Sequence, residues 1–230
     1  MAERIIKVSL ALIVTDALTG KPLENGVRVR LNNGIAAQRK KDGFWVFLNL
    51  PAALYTIIVE APFYQSKEIM VPVEQNFSLI EVGLFPGRQF PFAQTVEWLT
   101  GTIPSKKPVW AVLEQKPPRF QLTESFASGG KELALYDTGP AFSILHVWID
   151  GGKNKRGLFW LSPQGKSDGV YQLDRPCPWP MDYRTGIFTA VQLDERLENY
   201  DIPLPASCSA LHLVDRDGQL LVSRKRTGDE

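Results

Sequence analysis

Short apolar runs separated by turn residues, at intervals of roughly ten residues, dominate the chain, a spacing typical of all-β sandwiches and barrels. In one run the apolar side chains of Val27, Val29 and Leu31 alternate strictly with arginines. Because successive side chains of a strand point to opposite faces, this alternation predicts a strand with one buried face. The pattern as a whole predicts an all-β fold.

Helical spacing is found at one place, residues 193–200. Leu193, Leu197 and Tyr200 would share one face of a helix of one or two turns. The best-defined hairpin comes later, where Asp217 and Gly218 separate two apolar runs. An Asp-Gly pair between apolar strands favours a tight hairpin turn.

The N-terminal part predicts roughly seven strands within about 85 residues, a number that suits a Greek-key antiparallel β-sandwich. The clearest of these strands cover residues 5–14, 27–31, 44–48, 54–60, 69–73 and 77–82.

Three segments carry a family pattern: residues 16–31, 42–51 and 55–64. The first opens with D-x-x-T-G-x-P-L at Asp16, and the others resemble G-x-F-x-F-x-x-L-P-x-G-x-Y, with Ala52 and Ala53 where the family usually has a Gly. Residues 5 to about 85 thus resemble the carboxypeptidase regulatory-like, or transthyretin-like, β-sandwich family. The resemblance implies an accessory, spacer or interaction module and supplies no active site.

A loop with two prolines near residues 86–91 marks a domain boundary, giving a first domain at 1–87 and a second β-rich domain, sandwich or barrel-like, at 88–230. Strands of the second domain are predicted at 109–113, 120–123, 132–136, 141–149, 158–161, 170–173 and 187–193, followed by the final hairpin.

The charge balance argues against nucleic acid as a partner. Lys and Arg total 26 against 25 Asp and Glu, so no overall positive field attracts phosphates or an anionic membrane. No window approaches the ~20 apolar residues of a membrane span, and the N-terminus lacks the long apolar core of a secretory signal. We therefore expect a cytoplasmic protein that binds neither nucleic acid nor membrane.

The residue types that carry most enzyme chemistry are sparse. His146 and His212 are the two histidines, and neither has a ligand or a nucleophile motif at a suitable spacing. Cys177 and Cys208 form no CxxC pair and are interpreted as free thiols. We therefore predict no catalytic residues, no metal site, no cofactor and no enzyme activity.

Five of the six tryptophans lie beyond the first domain. Prolines in residues 175–183 remove the hydrogen-bond donors that a paired strand needs, so this segment is expected to present Trp179, Met181 and Tyr183 on a stiff loop. Aromatic anchors of this kind are typical of interfaces, although the loop could equally cap the sandwich. A second candidate contact surface for an anionic partner is the basic loop with Lys153, Lys155 and Arg156.

These observations favour a non-enzymatic structural or adaptor subunit that mediates protein–protein assembly with other protein subunits, copies of itself included. A bacterial phage-tail-like or other multi-subunit particle is one such setting. Two alternatives stay open: a carbohydrate-binding protein that uses exposed Trp and Tyr of the second domain, and an uncharacterised hydrolase in that domain. The lack of a secretion signal argues against the carbohydrate alternative.

Overall fold

The computed structural model describes residues 7–74, 78–104, 108–140, 144–164 and 169–226. Within these ranges every regular element is a β-strand, which confirms the predicted all-β class. The chain divides into two compact units: unit 1 comprises Met1–Pro91 and Asp194–Arg196, and unit 2 comprises Phe92–Leu193 and Leu197–Glu230.

Unit 1 is built from two sheets. Its strands among the described residues are β1 (Val8–Asp16), β2 (Arg28–Leu31), β3 (Gln38–Arg39), β4 (Trp45–Leu48), β5 (Ala53–Glu60), β6 (Lys67–Val73) and β7 (Ser78–Leu84). One sheet has the order β3-β4-β1-β7 and the other β2-β5-β6. The expectation of a purely antiparallel sandwich needs correction, because β7 runs parallel to β1. Parallel neighbours need a long crossover connection, which β2 to β6 provide.

Alternating side chains of the two sheets form the core of unit 1. Leu10, Leu12 and Val14 of β1 are buried, as are Val29 and Leu31 of β2. The alternation in β2 therefore places its apolar side chains inside, as the sequence predicted. Burying each such side chain stabilises the fold by roughly 1.5–3 kcal/mol.

The turn after β1 is organised by a single carboxylate. Asp16 Oδ1 accepts the backbone N–H groups of Leu18 at 2.9 Å and Thr19 at 2.8 Å, and Oδ2 accepts the Tyr64 hydroxyl at 2.7 Å. Gly20 closes the turn with a φ of 69°, a conformation that glycine adopts without steric cost. The D-x-x-T-G pattern is thus a turn stabilised by its own aspartate, and the Tyr64 hydroxyl links it to the rest of unit 1.

A buried polar cluster attaches residues Asp194–Arg196 to β6. The Asp194 carboxylate accepts the Glu68 N–H at 2.9 Å and attracts the buried ammonium of Lys67, which donates to the Gly83 carbonyl at 3.1 Å. Arg196 donates to Asp194 at 2.8 Å and lies 2.6 Å from the Glu68 carboxylate. These contacts explain why the segment belongs to unit 1.

The prediction of a short helix at residues 193–200 is wrong. Residues 195 and 196 form a turn, and a strand begins at Asn199. The Leu193 N–H donates to the Val109 carbonyl at 2.8 Å, whereas Asp194 is held by Glu68. Apolar spacing over so short a segment cannot distinguish a helix from a turn between two extended pieces.

Unit 2 contains the remaining strands of the described residues. They are β8 (Glu97–Thr102), β9 (Trp110–Gln115), β10 (Phe120–Leu122), β11 (Glu132–Asp137), β12 (Leu145–Asp150), β13 (Arg156–Pro163), β14 (Val170–Leu173), β15 (Gly186–Gln192), β16 (Asn199–Leu204), β17 (Cys208–Val214) and β18 (Leu220–Lys225).

Six of these strands close into a barrel with the order β10-β11-β14-β13-β12-β15. The barrel closes because β10 pairs back onto β15, with Phe120 opposite Ile187. Val147, Ile149 and Leu161 are among the buried side chains of its core. Closure leaves these six strands without an exposed edge to pair with another chain.

Strands β9, β17 and β18 extend the sheet from β15. Trp110, Val112 and Val214 of this extension pack in one cluster with Trp148 and Leu158 of the barrel strands. Val147 and Ile149 belong to the barrel core while Trp148 joins this second cluster, so β12 is buried on both faces.

The sequence located most strands but missed three. One is β3, which is only two residues long; the other two are β8 and β16. These two strands pair only with each other among the described residues, and Pro203 and Gly101 weaken their sequence signal. Residues 5, 6, 77 and 141–143 of the predicted strands lie outside the described residues.

Candidate binding sites

The proline-rich segment 175–183 divides into buried and exposed parts. Met181, which we expected on the contact surface, is only 3% exposed because its side chain joins the barrel core and its backbone pairs with Phe126. Trp179 is half-buried and packs edge-on against Phe159, with ring centroids 6.0 Å apart. Tyr183 is 78% exposed. Of the three predicted contact residues, Tyr183 presents its side chain to solvent.

The basic loop connects β12 and β13. Lys153 and Lys155 are exposed in this turn. Arg156 is half-buried, because its guanidinium donates to Asp150 at 3.0 Å and lies 5.8 Å from the ring centroid of Trp148. The loop therefore presents two lysines, while Arg156 contributes to local packing.

Tyr183 lines a cleft of about 310 Å³ in unit 2, which we call the Tyr183 cleft. The cleft is bounded by the end of β9, the start of β10 and residues 183–188. Its lining residues include Tyr183, Phe188, Gln121 and Glu114. Its volume lies at the lower end of the range for small-ligand sites, roughly 300–1,000 Å³.

The cleft exists because β9 and β10 pair with the same edge of β15 out of register. Val112 pairs with Ala190, so an unbroken strand would place Gln115 opposite Ile187. Phe120 occupies that position instead, and the residues between bulge out of the sheet. Pro117 and Pro118 lie in this bulge, where they cost no ladder hydrogen bond.

A buried ion pair fixes the far end of the bulge. Arg119 Nε donates to Asp137 at 2.9 Å, and another of its nitrogens donates to the Pro140 carbonyl at 2.7 Å. The guanidinium also lies 4.8 Å from the Phe120 ring centroid, and both charged side chains are at most 10% exposed. At the near end, the Lys116 N–H donates to the Ser207 carbonyl at 2.8 Å. The bulge is therefore held at both ends.

Glu114 is held in place by residues of neighbouring strands. Ser209 donates to Oε1 at 3.1 Å, and His212 Nε2 lies 3.3 Å from Oε2. His212 Nδ1 in turn lies 3.1 Å from the Ser223 hydroxyl, and its ring packs against Trp148 with a centroid separation of 5.3 Å. The carboxylate is thus oriented before any ligand arrives.

Ser223, His212 and Glu114 are the residue types of a hydrolytic triad. In such a triad the serine contacts Nε2 of the histidine and the carboxylate contacts Nδ1. Here the two nitrogens are exchanged. We therefore assign His212 a positioning role towards Glu114.

Tyr183 is held outward by the turn in which it lies. The Asp182 side chain accepts the Arg184 N–H at 2.8 Å, and the Thr185 N–H donates to the Asp182 carbonyl at 3.0 Å. Asp and Thr side chains commonly stabilise such turns. The Arg184 guanidinium lies 5.3 Å from the centroid of the Tyr183 ring, within the range of a cation–π contact.

A second exposed feature lies on unit 1. Every second residue of β5 and β6 points out of the sandwich, which brings Leu54, Ile58, Met70 and Pro72 onto one surface that we call the outer apolar face. Thr56 lies opposite Met70 on this face, and Glu68 lies opposite Ile58. Leu54 is 64% exposed and Met70 is 50% exposed. The other end of the same surface is charged, with Arg30 3.7 Å from Glu60.

The described residues contain no group of three or more His, Cys, Asp or Glu placed to hold a metal ion. His146 packs between aromatic rings, with centroid separations of 4.1 Å to Trp160 and 5.5 Å to Trp110. Cys177 and Cys208 are buried free thiols, and burial raises the pKa of both. In the portion that the structure describes, no helix reaches the length and apolar character needed to cross a lipid bilayer.

Sequence reasoning missed the residues that shape the cleft. Glu114 and His212 are 98 positions apart and meet only because β9 pairs with β17. A single sequence gives no signal for that pairing. The two prolines at 117 and 118 indicated a break in a strand, but not that the chain would resume on the same neighbouring strand.

No protein-family model matches this chain, and no curated protein matches its sequence.

Proposed function

We propose that the protein is a non-enzymatic structural or adaptor subunit that binds other protein subunits, itself included, through the outer apolar face of unit 1. A phage-tail-like or other multi-subunit particle is the kind of assembly in which such a subunit serves. The resemblance of the first domain to transthyretin-like sandwich modules supports the same proposal, since such modules serve as spacers and interaction domains.

The exposure of Leu54 and Met70 is the observation that carries the proposal. Their side chains, 64% and 50% exposed, lie on neighbouring strands, with Pro72 directly opposite Leu54 and next to Met70 on the same face. Exposed apolar patches with polar rims mark protein interaction sites. The charged end of the face, with Arg30 beside Glu60, offers groups of both signs to a partner.

The test compares wild type with the Leu54→Arg/Met70→Arg double variant. We expect wild type to self-associate or to co-purify stoichiometrically with another subunit from its native host. The double variant should bind at least about tenfold more weakly, because two central apolar contacts are replaced by charges. Light scattering after size exclusion and quantitative co-purification measure the two outcomes.

Tyr136→Arg is the matched control, because Tyr136 is 60% exposed but lies on unit 2. It should leave association unchanged. A wild-type protein that stays monomeric and retains no stoichiometric partner would overturn the proposal, as would a double variant that associates like wild type.

A further inference from the structure

The Tyr183 cleft combines groups that recognise different parts of one ligand. Tyr183 offers an exposed ring, Phe188 an apolar wall, and Glu114 with Gln121 offer hydrogen-bond acceptors. Lys116 and Arg184 add donors. Such a lining suits a ligand that has an apolar face and several hydroxyl groups around its edge.

We infer that the Tyr183 cleft binds carbohydrate, with a pyranose ring stacked on Tyr183 and its hydroxyls donating to Glu114. This inference concerns unit 2 and is independent of the outer apolar face of unit 1. Either one can fail while the other stands.

The held carboxylate is the first argument for a hydroxyl-bearing ligand. Ser209 and His212 fix the orientation of Glu114, and each carboxylate oxygen still has capacity for a further hydrogen bond. A hydrogen bond to an ionised acceptor is roughly twice as strong as one between neutral groups. A preorganised acceptor loses little side-chain entropy when a ligand binds.

The aromatic ring is the second argument. The turn from Asp182 to Thr185 fixes the backbone on both sides of Tyr183, so the ring stays 78% exposed even with Arg184 beside it. A rigid, exposed aromatic side chain provides contact area at a low entropy cost. The C–H groups on one face of a pyranose can cover this ring.

The same lining argues against two other ligand classes. A phosphate group could approach Lys116 and Arg184, but it would also meet the Glu114 carboxylate, which Ser209 and His212 hold in place. A wholly apolar ligand would leave Glu114 and Gln121 without the hydrogen bonds that they make in water. A polyhydroxylated neutral ligand avoids both penalties.

The experiment titrates the full chain with cellotriose, maltotriose and chitotriose, each followed by saturation-transfer NMR and calorimetry. We expect at least one trisaccharide to bind. Tyr183→Ala should weaken it about tenfold, whereas Tyr183→Phe should retain most of the affinity because the ring remains. Glu114→Gln should also weaken binding, since the charged acceptor is lost.

Tyr136→Ala is the control, since that tyrosine is 60% exposed on β11 outside the cleft. It should bind like wild type, and thermal melts should show that each variant is folded. The inference is overturned if none of the three trisaccharides binds, or if Tyr183→Ala binds like wild type. Inorganic phosphate binding in place of sugar would overturn it as well.

Discussion

At the scale of single residues, the most unusual group is Lys67. Lys67 is the first residue of β6, and its side chain is buried. Burial lowers its pKa to about 7, although the Asp194 and Glu81 carboxylates act in the opposite direction. Burial would also raise the pKa of Asp194, but hydrogen bonds from Arg196 and from the Glu68 N–H hold it below its usual range. Asp194 therefore stays ionised, whereas Lys67 is close to losing its proton near neutral pH.

Lys67 makes the stability of unit 1 depend on pH. Its pKa is about 7 in the folded state and 10.5 in the unfolded chain, so between pH 7 and 8.5 the unfolded chain binds more protons. Stability should therefore rise with pH in this window, by about 1–2 kcal/mol. Lys67→Met should abolish this rise, and urea unfolding at several pH values measures it.

The comparison is confined below pH 8.5 for a physical reason. Burial and the Asp16 hydrogen bond raise the pKa of Tyr64 in unit 1, and burial raises the pKa of Cys177 and Cys208 in unit 2. Each of these groups therefore lowers the stability of its own unit as the pH rises further. Lys40→Met, at an exposed lysine, should keep the wild-type slope. Parallel pH profiles for wild type and Lys67→Met would contradict this account of Lys67.

At the scale of elements, the sequence predicted the turns and strands that are determined by neighbouring residues. The Asp217-Gly218 turn predicted a hairpin, and β17 and β18 are joined there, with Gly218 at a φ of 77°. The turn itself also uses Asp215, whose carboxylate accepts the N–H groups of Asp217 at 3.0 Å and Gln219 at 2.9 Å. Alternation and turn residues are local signals, and they were sufficient here.

Features that depend on distant pairing could not be predicted. The bulge between β9 and β10 depends on both strands finding β15, and the orientation of Glu114 depends on His212. The position of Asp194 likewise depends on a backbone N–H of β6, and no local pattern in the sequence indicates that this carboxylate is 5% exposed. Tyr183 was predicted as a contact residue because the prolines that precede it, at 176, 178 and 180, constrain the chain locally.

The hairpin tip yields a prediction that separates backbone strain from steric contact. A Cβ at Gly218 would overlap the Gly157 carbonyl carbon, whereas a Cβ at Gly152 would meet nothing within 4 Å. Both glycines have positive φ, so alanine costs about 1–2 kcal/mol at either position. We expect Gly218→Ala to cost about 1–3 kcal/mol more than Gly152→Ala in urea unfolding, because the backbone of β13 must shift. Equal losses of unfolding free energy in the two variants would contradict the close approach of Gly218 to the backbone of β13.

At the scale of the whole molecule, each unit has its own hydrophobic core. One cluster of buried side chains belongs to unit 1, and the barrel core with its neighbouring cluster belongs to unit 2. A unit with its own core can unfold as one cooperative step. The chain passes between the units at Pro91–Phe92 and again on either side of Asp194–Arg196. The outer apolar face belongs to unit 1 and the Tyr183 cleft to unit 2, so each proposed binding surface is stabilised by a different core.

Separate cores predict two steps in thermal unfolding followed by calorimetry. Ile57 and Leu161 are both fully buried, the first in unit 1 and the second in the barrel. Truncating either to alanine removes about 2–5 kcal/mol of stability, and such a loss lowers the midpoint of a small unit by roughly 10 °C or more. Ile57→Ala should therefore lower the midpoint temperature of the unit 1 transition, and Leu161→Ala should lower that of the unit 2 transition. Ile35→Ala, at a side chain that is 50% exposed, should leave both midpoints unchanged. A single transition shifted equally by both core variants would show that the two cores unfold together, which their separate packing does not predict.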